Sequence, residues 1–203
     1  MSKKVVIAFE GIEGSGKTYH INKISKYLKR KNISHIKLRE PGGSKNSEKI
    51  RKLILNNKSN FKKETDLLLY LAARSENIHL LRKSYKKKII LIDRFTDSTI
   101  AYQHYGMGVD LNILQKINNY LLKSFKVDFT FLNTVSEKNL KIRLKKRKKL
   151  NRYDKFKLNF YSKVQKGFLN IAKNKRNYKI IDSDQCIEIN QKKIIEKVEK
   201  LIK

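Results

Sequence analysis

The sequence predicts an α/β fold, a parallel β-sheet core flanked by helices, and three features carry that reading. Short apolar runs alternate along the chain with longer segments of helical periodicity. The runs, such as Val5 to Phe9 and Ile89 to Ile92, are continuous rather than alternating, as strands buried on both faces are. A glycine-rich turn, Gly11-Ile12-Glu13-Gly14-Ser15-Gly16-Lys17-Thr18, joins the first run to the first helical segment. The 203 residues suit a single domain over 1–203. A chain of this length buries roughly 70% of its unfolded surface without a disulfide or metal staple.

Taken in order, Val5 to Phe9 is the first strand. The helix after the glycine turn places Ile21, Ile24, Tyr27 and Leu28 on one face. His35 to Arg39 reads as a second strand, ending near Pro41, the single proline, and the pair Gly42-Gly43. Ile50, Leu53 and Ile54 mark a helix. A longer one runs from about Thr65 to Tyr85, with Leu68, Leu71, Ala72, Ile78 and Leu81 near helical spacing. Ile89 to Ile92 is the next strand, Leu111 to Leu122 a helix, and Phe129 to Leu132 a strand. Ser136-Glu137 starts a helix with Leu140 and Leu144 on its apolar side. Phe160, Val164, Phe168 and Ile171 give another. Tyr178 to Ile181 is the last strand and Ile194 to Ile202 the last amphipathic helix. Lys145 to Lys149 is the densest charge run and a candidate mobile segment.

Composition narrows the class without naming a function. Lys and Arg number 49 against 18 Asp and Glu, a formal charge of +31. Such a charge attracts polyanions, yet the basic residues are spread over almost the whole chain. Frequent Lys, Ile and Asn also follow from low-GC codon usage with no selected partner, and steering of an anionic small molecule fits either view. No RNP-type aromatic motif, zinc finger or basic heptad region marks a specific nucleic-acid partner. Cys186 is the single cysteine, which excludes an internal disulfide framework and a Cys-rich zinc site and suits a reducing compartment. No apolar run approaches a membrane span. The basic start, Met1 to Lys4, and its five-residue apolar run stop at Glu10, too short for a signal peptide. These features predict a cytoplasmic protein.

The glycine turn is a full G-x-x-x-x-G-K-[ST] match in the required strand–turn–helix context. Its glycines let backbone amides converge on a phosphate, and the following helix N-terminus adds a fixed positive dipole. Lys17 suits the β/γ oxygens of a nucleoside triphosphate, and the Thr18 hydroxyl suits Mg²⁺. Glu13 is out of place by the same electrostatics: it is either a solvated loop residue or an acceptor for a hydroxyl of a second ligand. The strand Ile89 to Ile92 ends in Asp93-Arg94-Phe95, where a carboxylate at a neighbouring strand's carboxyl end suits a Mg²⁺ ligand. Arg94 can fork onto a phosphate.

The stretch Asp93-Arg94-Phe95-Thr96-Asp97-Ser98-Thr99-Ile100-Ala101-Tyr102-Gln103 resembles the bacterial thymidylate kinases, a family of P-loop nucleoside-monophosphate kinases. Phe9-Glu10-Gly11 through Thr18 resembles the family's F-E-G-x-E-G-x-G-K-T. Arg39-Glu40-Pro41-Gly42-Gly43-Ser44 resembles R-E-P-G-G-T with serine for threonine. Leu67 to Arg74 resembles L-L-L-F-x-A-A-R, with Tyr70 for phenylalanine, and Ile181-Asp182-Ser183 resembles I-D-A. The motifs fall in family order from residue 5 to about 185.

The resemblance implies a P-loop kinase architecture with a mobile lid, here about residues 143–155, and transfer of a phosphoryl group from ATP to dTMP with Mg²⁺. Gly11 to Thr18, with Asp182 against the adenine, would hold ATP; Thr18 and Asp93 would serve the metal. Glu13 would accept from the dTMP 3′-hydroxyl. Tyr70 would stack on thymine, unless it is an ordinary core aromatic, and Arg74 would donate to a thymine carbonyl, unless it is a helix-surface charge. Arg51 and Arg94 would grip the 5′-phosphate. Tyr102 would crowd the sugar 2′ position and Gln103 would contact the base, unless either is simple helix surface; Ser98 lies in the same matched stretch. The family's tight turn favours a cis bond after Glu40. Some members carry an arginine inside the phosphate loop, which Glu13-Gly14-Ser15 lacks, and others use lid arginines. Arg147 would be the main lid donor and Arg143 the next, sharing a helix face by their spacing of four, against the alternative of a solvated basic lid. The lid motif D-R-x-E reads Asn151-Arg152-Tyr153-Asp154 here, which leaves Arg152 without an assigned role. The family's members pair as homodimers through helices, and the 65–85 and 111–122 segments have apolar faces that serve either a dimer or the core. The rival readings are another P-loop nucleotide or deoxynucleoside kinase and a nucleic-acid-stimulated NTPase.

Overall fold

A computed structural model describes residues 4–147 and 150–203. Five strands, β1 (Val6–Gly11), β2 (His35–Arg39), β3 (Ile89–Asp93), β4 (Phe129–Thr134) and β5 (Tyr178–Asp182), form one sheet. Their order is β2-β3-β1-β4-β5, and every neighbouring pair is parallel. The central strands β3, β1 and β4 are buried along nearly their whole length, which is why they read as unbroken apolar runs. The edge strands alternate instead. Lys37 on β2 and Ile180 on β5 face solvent while Leu38 and Ile181 are buried.

Each face of the sheet is closed by helices. On one side α1 (Lys17–Arg30) and α8 (Ile187–Ile202) bring Ile21, Ile24, Leu28 and Ile194 against Ile7, Phe9, Leu91 and Phe131. On the other, α3 (Lys63–Tyr85) and α5 (Leu111–Leu122) set Ile78, Leu81 and Leu122 against Val6, Ile90 and Ile92. A third cluster lies around α7 (Leu158–Ala172), where Val164 and Phe168 meet Tyr102, Leu132 and Tyr153. Because β1 is flanked by β3 on one side and β4 on the other, strand order reverses there. The crevice outside those strand ends is where a ligand enters an open parallel sheet.

Several elements differ from the sequence expectations. Residues 96–106 received no element from the sequence; they form a short helix α4 (Thr96–Thr99) that runs on as a π-helical turn, Ile100–Gly106. That turn packs tightly on α7. A Cβ on Gly167 would lie 2.6 Å from the Tyr105 ring, so only glycine permits the approach. The helix α3 starts at Lys63 and α8 at Ile187, earlier than their apolar periodicity indicates. Ser44 and Ser136 cap α2 (Lys45–Leu55) and α6 (Glu137–Lys145), each accepting from a backbone amide three residues on.

The expectation that Arg143 and Arg147 share a helix face is corrected: α6 stops at Lys145, so Arg147 lies beyond it. Successive like charges from Lys145 onward disfavour further turns. A 3₁₀ turn, Arg152–Lys155, follows, with Asn151 and Asp154 forming a reciprocal capping box. Positions 148 and 149 of the Lys145–Lys149 run, and 1–3 of the basic start, lie outside the described residues. The Glu40–Pro41 bond is cis. Among the described residues, no helix is long and apolar enough to cross a membrane.

Candidate active site

The loop after β1 is shaped by backbone conformations that side chains rarely adopt. Gly11 has φ +135°, and a Cβ there would sit 2.2 Å from the Asn133 carbonyl oxygen of β4. Gly16, in the left-handed region, starts α1. The Lys17 ammonium turns back over this loop and donates to the carbonyls of Gly11 (2.9 Å) and Ile12 (2.8 Å). Burial, with the Arg94 guanidinium next, pushes it down to about 8. The Thr18 hydroxyl donates to Asp93 Oδ2 at 2.8 Å, across from the end of β3.

Arg94 is the conformational outlier of the site. It is a non-glycine residue at φ +65°, directly after β3. Its amide donates to the Phe9 carbonyl (3.0 Å), and its Nη1 donates to the Gly11 carbonyl (2.8 Å). Its Nη2 pairs with Glu13 at 2.9 Å. The other Glu13 oxygen accepts from the Tyr102 hydroxyl. Burial alone would raise the Glu13 carboxyl, but Arg94, then Lys17 and the Tyr102 hydroxyl, outweigh it and hold it below the usual carboxylate range. Glu13 is therefore neither a solvated loop residue nor an unpaired charge.

Beneath this turn lies Glu10, to which sequence reasoning assigned no role. At the carboxyl end of β1 and fully buried, it accepts from the Phe95 amide (2.7 Å), the Ser98 amide (3.3 Å) and the Ser98 hydroxyl (2.5 Å). It thus caps α4 from another element and fixes the turn that carries Arg94. Burial, and then the Asp97 carboxylate, push it up to about 7. Its signal in the sequence was a carboxylate ending a fully apolar strand, which requires a buried partner.

The remaining residues surround one cavity of about 510 Å³ that runs from the phosphate loop to Tyr70 and Gln103. Lys17, Thr18, Glu13, Asp93 and Arg94 line it, as do Gly14, Ser15 and Gly16 of the loop. Arg51, Ser98, Tyr102 and Arg147 are on its wall too. Arg51 is steadied by the Pro41 carbonyl at 2.6 Å. Arg74 also reaches the wall, and it is no surface charge, being 1% exposed. Its Nε donates to Glu40 (2.8 Å), Nη1 to Asn118 (2.6 Å) and Nη2 to Thr99 (2.9 Å), and its plane lies over Phe95. Tyr70 is half-buried, with Tyr153 against it edge-on.

Some expected site residues lie elsewhere. Gly11 and Ile12 of the loop do not line the cavity. Asp182 is an exposed side chain at the end of β5, accepting from the Asp184 amide at 3.0 Å. Arg143 braces backbone: it donates to the carbonyls of Gly14 (2.9 Å) and Ser183 (2.6 Å), tying the phosphate loop to the turn after β5. Arg147 pairs with Asp154 and stays on the cavity wall. Arg152 turns away from the phosphate end and pairs with Asp66 on α3.

A parallel sheet, a phosphate loop at its switch point and a cavity opening beside it define a P-loop nucleotide-binding protein with room for a second ligand. Comparison with known proteins narrows this class. A family model described as thymidylate kinase matches residues 9–194. A thymidylate kinase of Carboxydothermus hydrogenoformans is 38% identical over 178 residues, 87% of each chain. One of Clostridium novyi is 35% identical over the full length of both. The crystal structure of thymidylate kinase from Ehrlichia chaffeensis superposes with a TM-score of 0.77 at 30% identity, covering 97% of this chain and 98% of that one. The chain belongs to the thymidylate kinase family.

The buried Glu10 makes a testable contribution to stability. Its carboxyl titrates near 4.5 when exposed and about 7 in the fold. The folded state therefore holds a proton that the unfolded state releases, and the stability this lends below pH 4.5 is lost as pH rises through 7. Glu10→Gln has no proton to lose. Thermal unfolding is expected to give matching midpoints for variant and wild type at pH 5, and a variant more stable by several degrees at pH 8. A difference that stays flat from pH 5 to 8 would contradict the assignment.

Proposed function

We propose that the loop Gly11–Thr18 holds the triphosphate of ATP while the cavity beside it holds dTMP, and that the chain transfers the γ-phosphoryl group to give dTDP and ADP. The observation that carries this reading is the layout of the cavity. The phosphate loop, the guanidinium groups of Arg51 and Arg94, and the side chains of Tyr70, Arg74 and Gln103 all line this one cavity. A nucleoside monophosphate matches that combination of charge, sugar and base chemistry. Family membership makes the chain an ATP-dependent kinase of dTMP and disfavours a nucleic-acid-stimulated NTPase.

In this reading the 5′-phosphate oxygen of dTMP attacks the γ-phosphorus in line, and the bond to the β–γ bridging oxygen breaks. No protein nucleophile is needed, so the chain supplies position and charge. Arg94 and Arg51 offset repulsion between the two anions, and Lys17 balances charge on the β and γ oxygens. Glu13 accepts from the 3′-hydroxyl, Ser98 supports Arg94, and the Tyr102 ring crowds the 2′ position. Tyr70 stacks on the base, Arg74 donates to a ring carbonyl and Gln103 reads the base edge. Asp182 stands near the adenine. Arg147 is the main lid donor to the transferring group; Arg143 holds the loop it works over.

The Thr18 and Asp93 oxygens are hard donors and fit Mg²⁺, which takes its remaining ligands from phosphates and water. Among the described residues no group of three or more His, Cys, Asp or Glu side chains is placed to hold a metal, so the ion would enter with the nucleotide. When bound it neutralises phosphate charge. A cytoplasmic location, where free nucleotides and reduced thiols prevail, goes with this reading.

A homodimer is part of the same proposal. The helix α3 buries Leu67, Leu71, Ile78 and Leu81 yet exposes Leu68 (57%), and neighbouring α5 exposes Ile113 (55%) and Tyr120 (76%). Apolar residues on both sides of a helix imply a second partner surface. Sedimentation equilibrium is expected to give the mass of two chains for wild type and one for Leu68→Lys; a wild-type monomer at micromolar concentration would sink this part.

The activity is tested by ADP release from Mg·ATP with dTMP, dUMP, dCMP, UMP and thymidine offered separately. Strong turnover is expected with dTMP, less with dUMP and almost none with the others. Turnover confined to another acceptor would overturn the assignment of Tyr70, Arg74 and Tyr102. In the same assay Arg147→Ala should lower kcat at least about tenfold, on the scale of one lost charge donor; a change within a few-fold would move the lid role elsewhere.

A further inference from the structure

Asp66, on α3, belongs to no motif, yet side chains of two other elements converge on it. It is 1% exposed. Its Oδ1 pairs with Arg152 of the 3₁₀ turn, whose Nε is in turn held by the Ile54 carbonyl at 3.1 Å. Its Oδ2 accepts from the Tyr153 hydroxyl (2.5 Å) and from Gln103 Nε2 (3.3 Å). Gln103 is fully buried on the π-helical turn and lines the cavity. Its Oε1 has no hydrogen-bond partner among the described residues.

An amide side chain carries a donor at one end and an acceptor at the other, and the two are nearly the same shape. Which end faces a ligand is decided by what holds the opposite end. A carboxylate only accepts, so Asp66 takes the Gln103 amino group and leaves the oxygen for the cavity. The Arg152 ion pair and the Tyr153 hydroxyl bring two further donors to the same carboxylate. A buried carbonyl oxygen without a partner is unfavourable until a ligand donor satisfies it.

We infer that Asp66 is a positioning residue for base selection: it fixes the Gln103 amide so that the site demands a ring N–H from the base. Thymine and uracil carry one at N3. Cytosine presents a lone pair there, and two acceptors would face one another in a buried site. The inference rests on the proposed reading of the cavity as the dTMP site. It also gives Arg152 a place: the lid turn docks on Asp66 and so joins lid packing to base selection.

The test is Asp66→Asn, in which the new amide can donate to Gln103 Oε1 and let that side chain reverse. Steady-state kcat/KM is measured for dTMP, dUMP and dCMP, with KM for ATP alongside. The expected result is a dTMP-to-dCMP preference reduced about 10- to 100-fold, on the scale of one buried unpaired polar group. The dTMP-to-dUMP ratio and KM for ATP should not change, since uracil shares the N3–H. An equal loss on all three acceptors, with the ratios kept, would mean Asp66 is merely structural and overturn the inference. If Asp66→Asn alone does not fold, Asp66→Asn with Arg152→Met removes both charges of the buried pair and is read by the same ratios. Failure of the underlying reading would show separately, as absence of dTMP turnover in wild type.

Discussion

Glu13 lies in a loop built to hold phosphates, and its charge is compatible with that loop because Arg94 pairs with it at 2.9 Å. The pairing serves both partners. The carboxylate is neutralised where a triphosphate approaches, and the guanidinium is anchored at two points, by Glu13 and by the Gly11 carbonyl, on the cavity wall. An arginine fixed in this way loses little rotamer freedom when an anion arrives. Tyr102 joins from the π-helical turn through its hydroxyl on Glu13, and the Arg94 guanidinium lies over its ring at 5.2 Å. Two residues 81 and 89 positions further along the chain thus meet on one loop carboxylate.

What lies behind this cluster is a chain of supports. The phosphate loop can lie against β4 because Gly11 has no Cβ to meet Asn133. Arg94 can hold a left-handed conformation because the buried carboxylate of Glu10 caps the helix that follows it. On the far side, Arg74 is immobilised by Glu40, Asn118 and Thr99, so the wall of the cavity is set by buried polar contacts rather than by mobile surface charge. Burial holds the Glu40 carboxyl above its usual range even with the Arg74 guanidinium 2.7 Å away. Such a network is demanding: each member satisfies another, and removing one leaves a buried polar group unpaired.

Much of this was legible in the sequence. The three central strands could be read because strands covered on both faces must be apolar throughout, and the phosphate loop because its spacing fixes its geometry. The edge strands were readable from the same chain order. The π-helical turn was not, since an i→i+5 turn of seven residues has no apolar period of its own. The end of α6 before Arg147 was missed because spacing of four signals a shared face only where the helix continues. Asp66 gave no signal at all: its partner Arg152 lies 86 residues away, and only tertiary packing joins them. Arg74 stood between a ligand contact and a surface charge until its burial became visible. Local pattern located the groups; which of them are held, and by what, depended on contacts distant in sequence.

The ion pair joins Glu13 and Arg94 into one unit rather than leaving them as separate contacts to sugar and phosphate. A double-mutant cycle with Glu13→Gln, Arg94→Lys and the double variant, read as kcat/KM for dTMP, tests it directly. The expected result is a double variant little worse than the poorer single, with a coupling of at least about 1 kcal/mol. Costs that simply add would contradict it, and would leave two residues that bind different parts of the substrate independently.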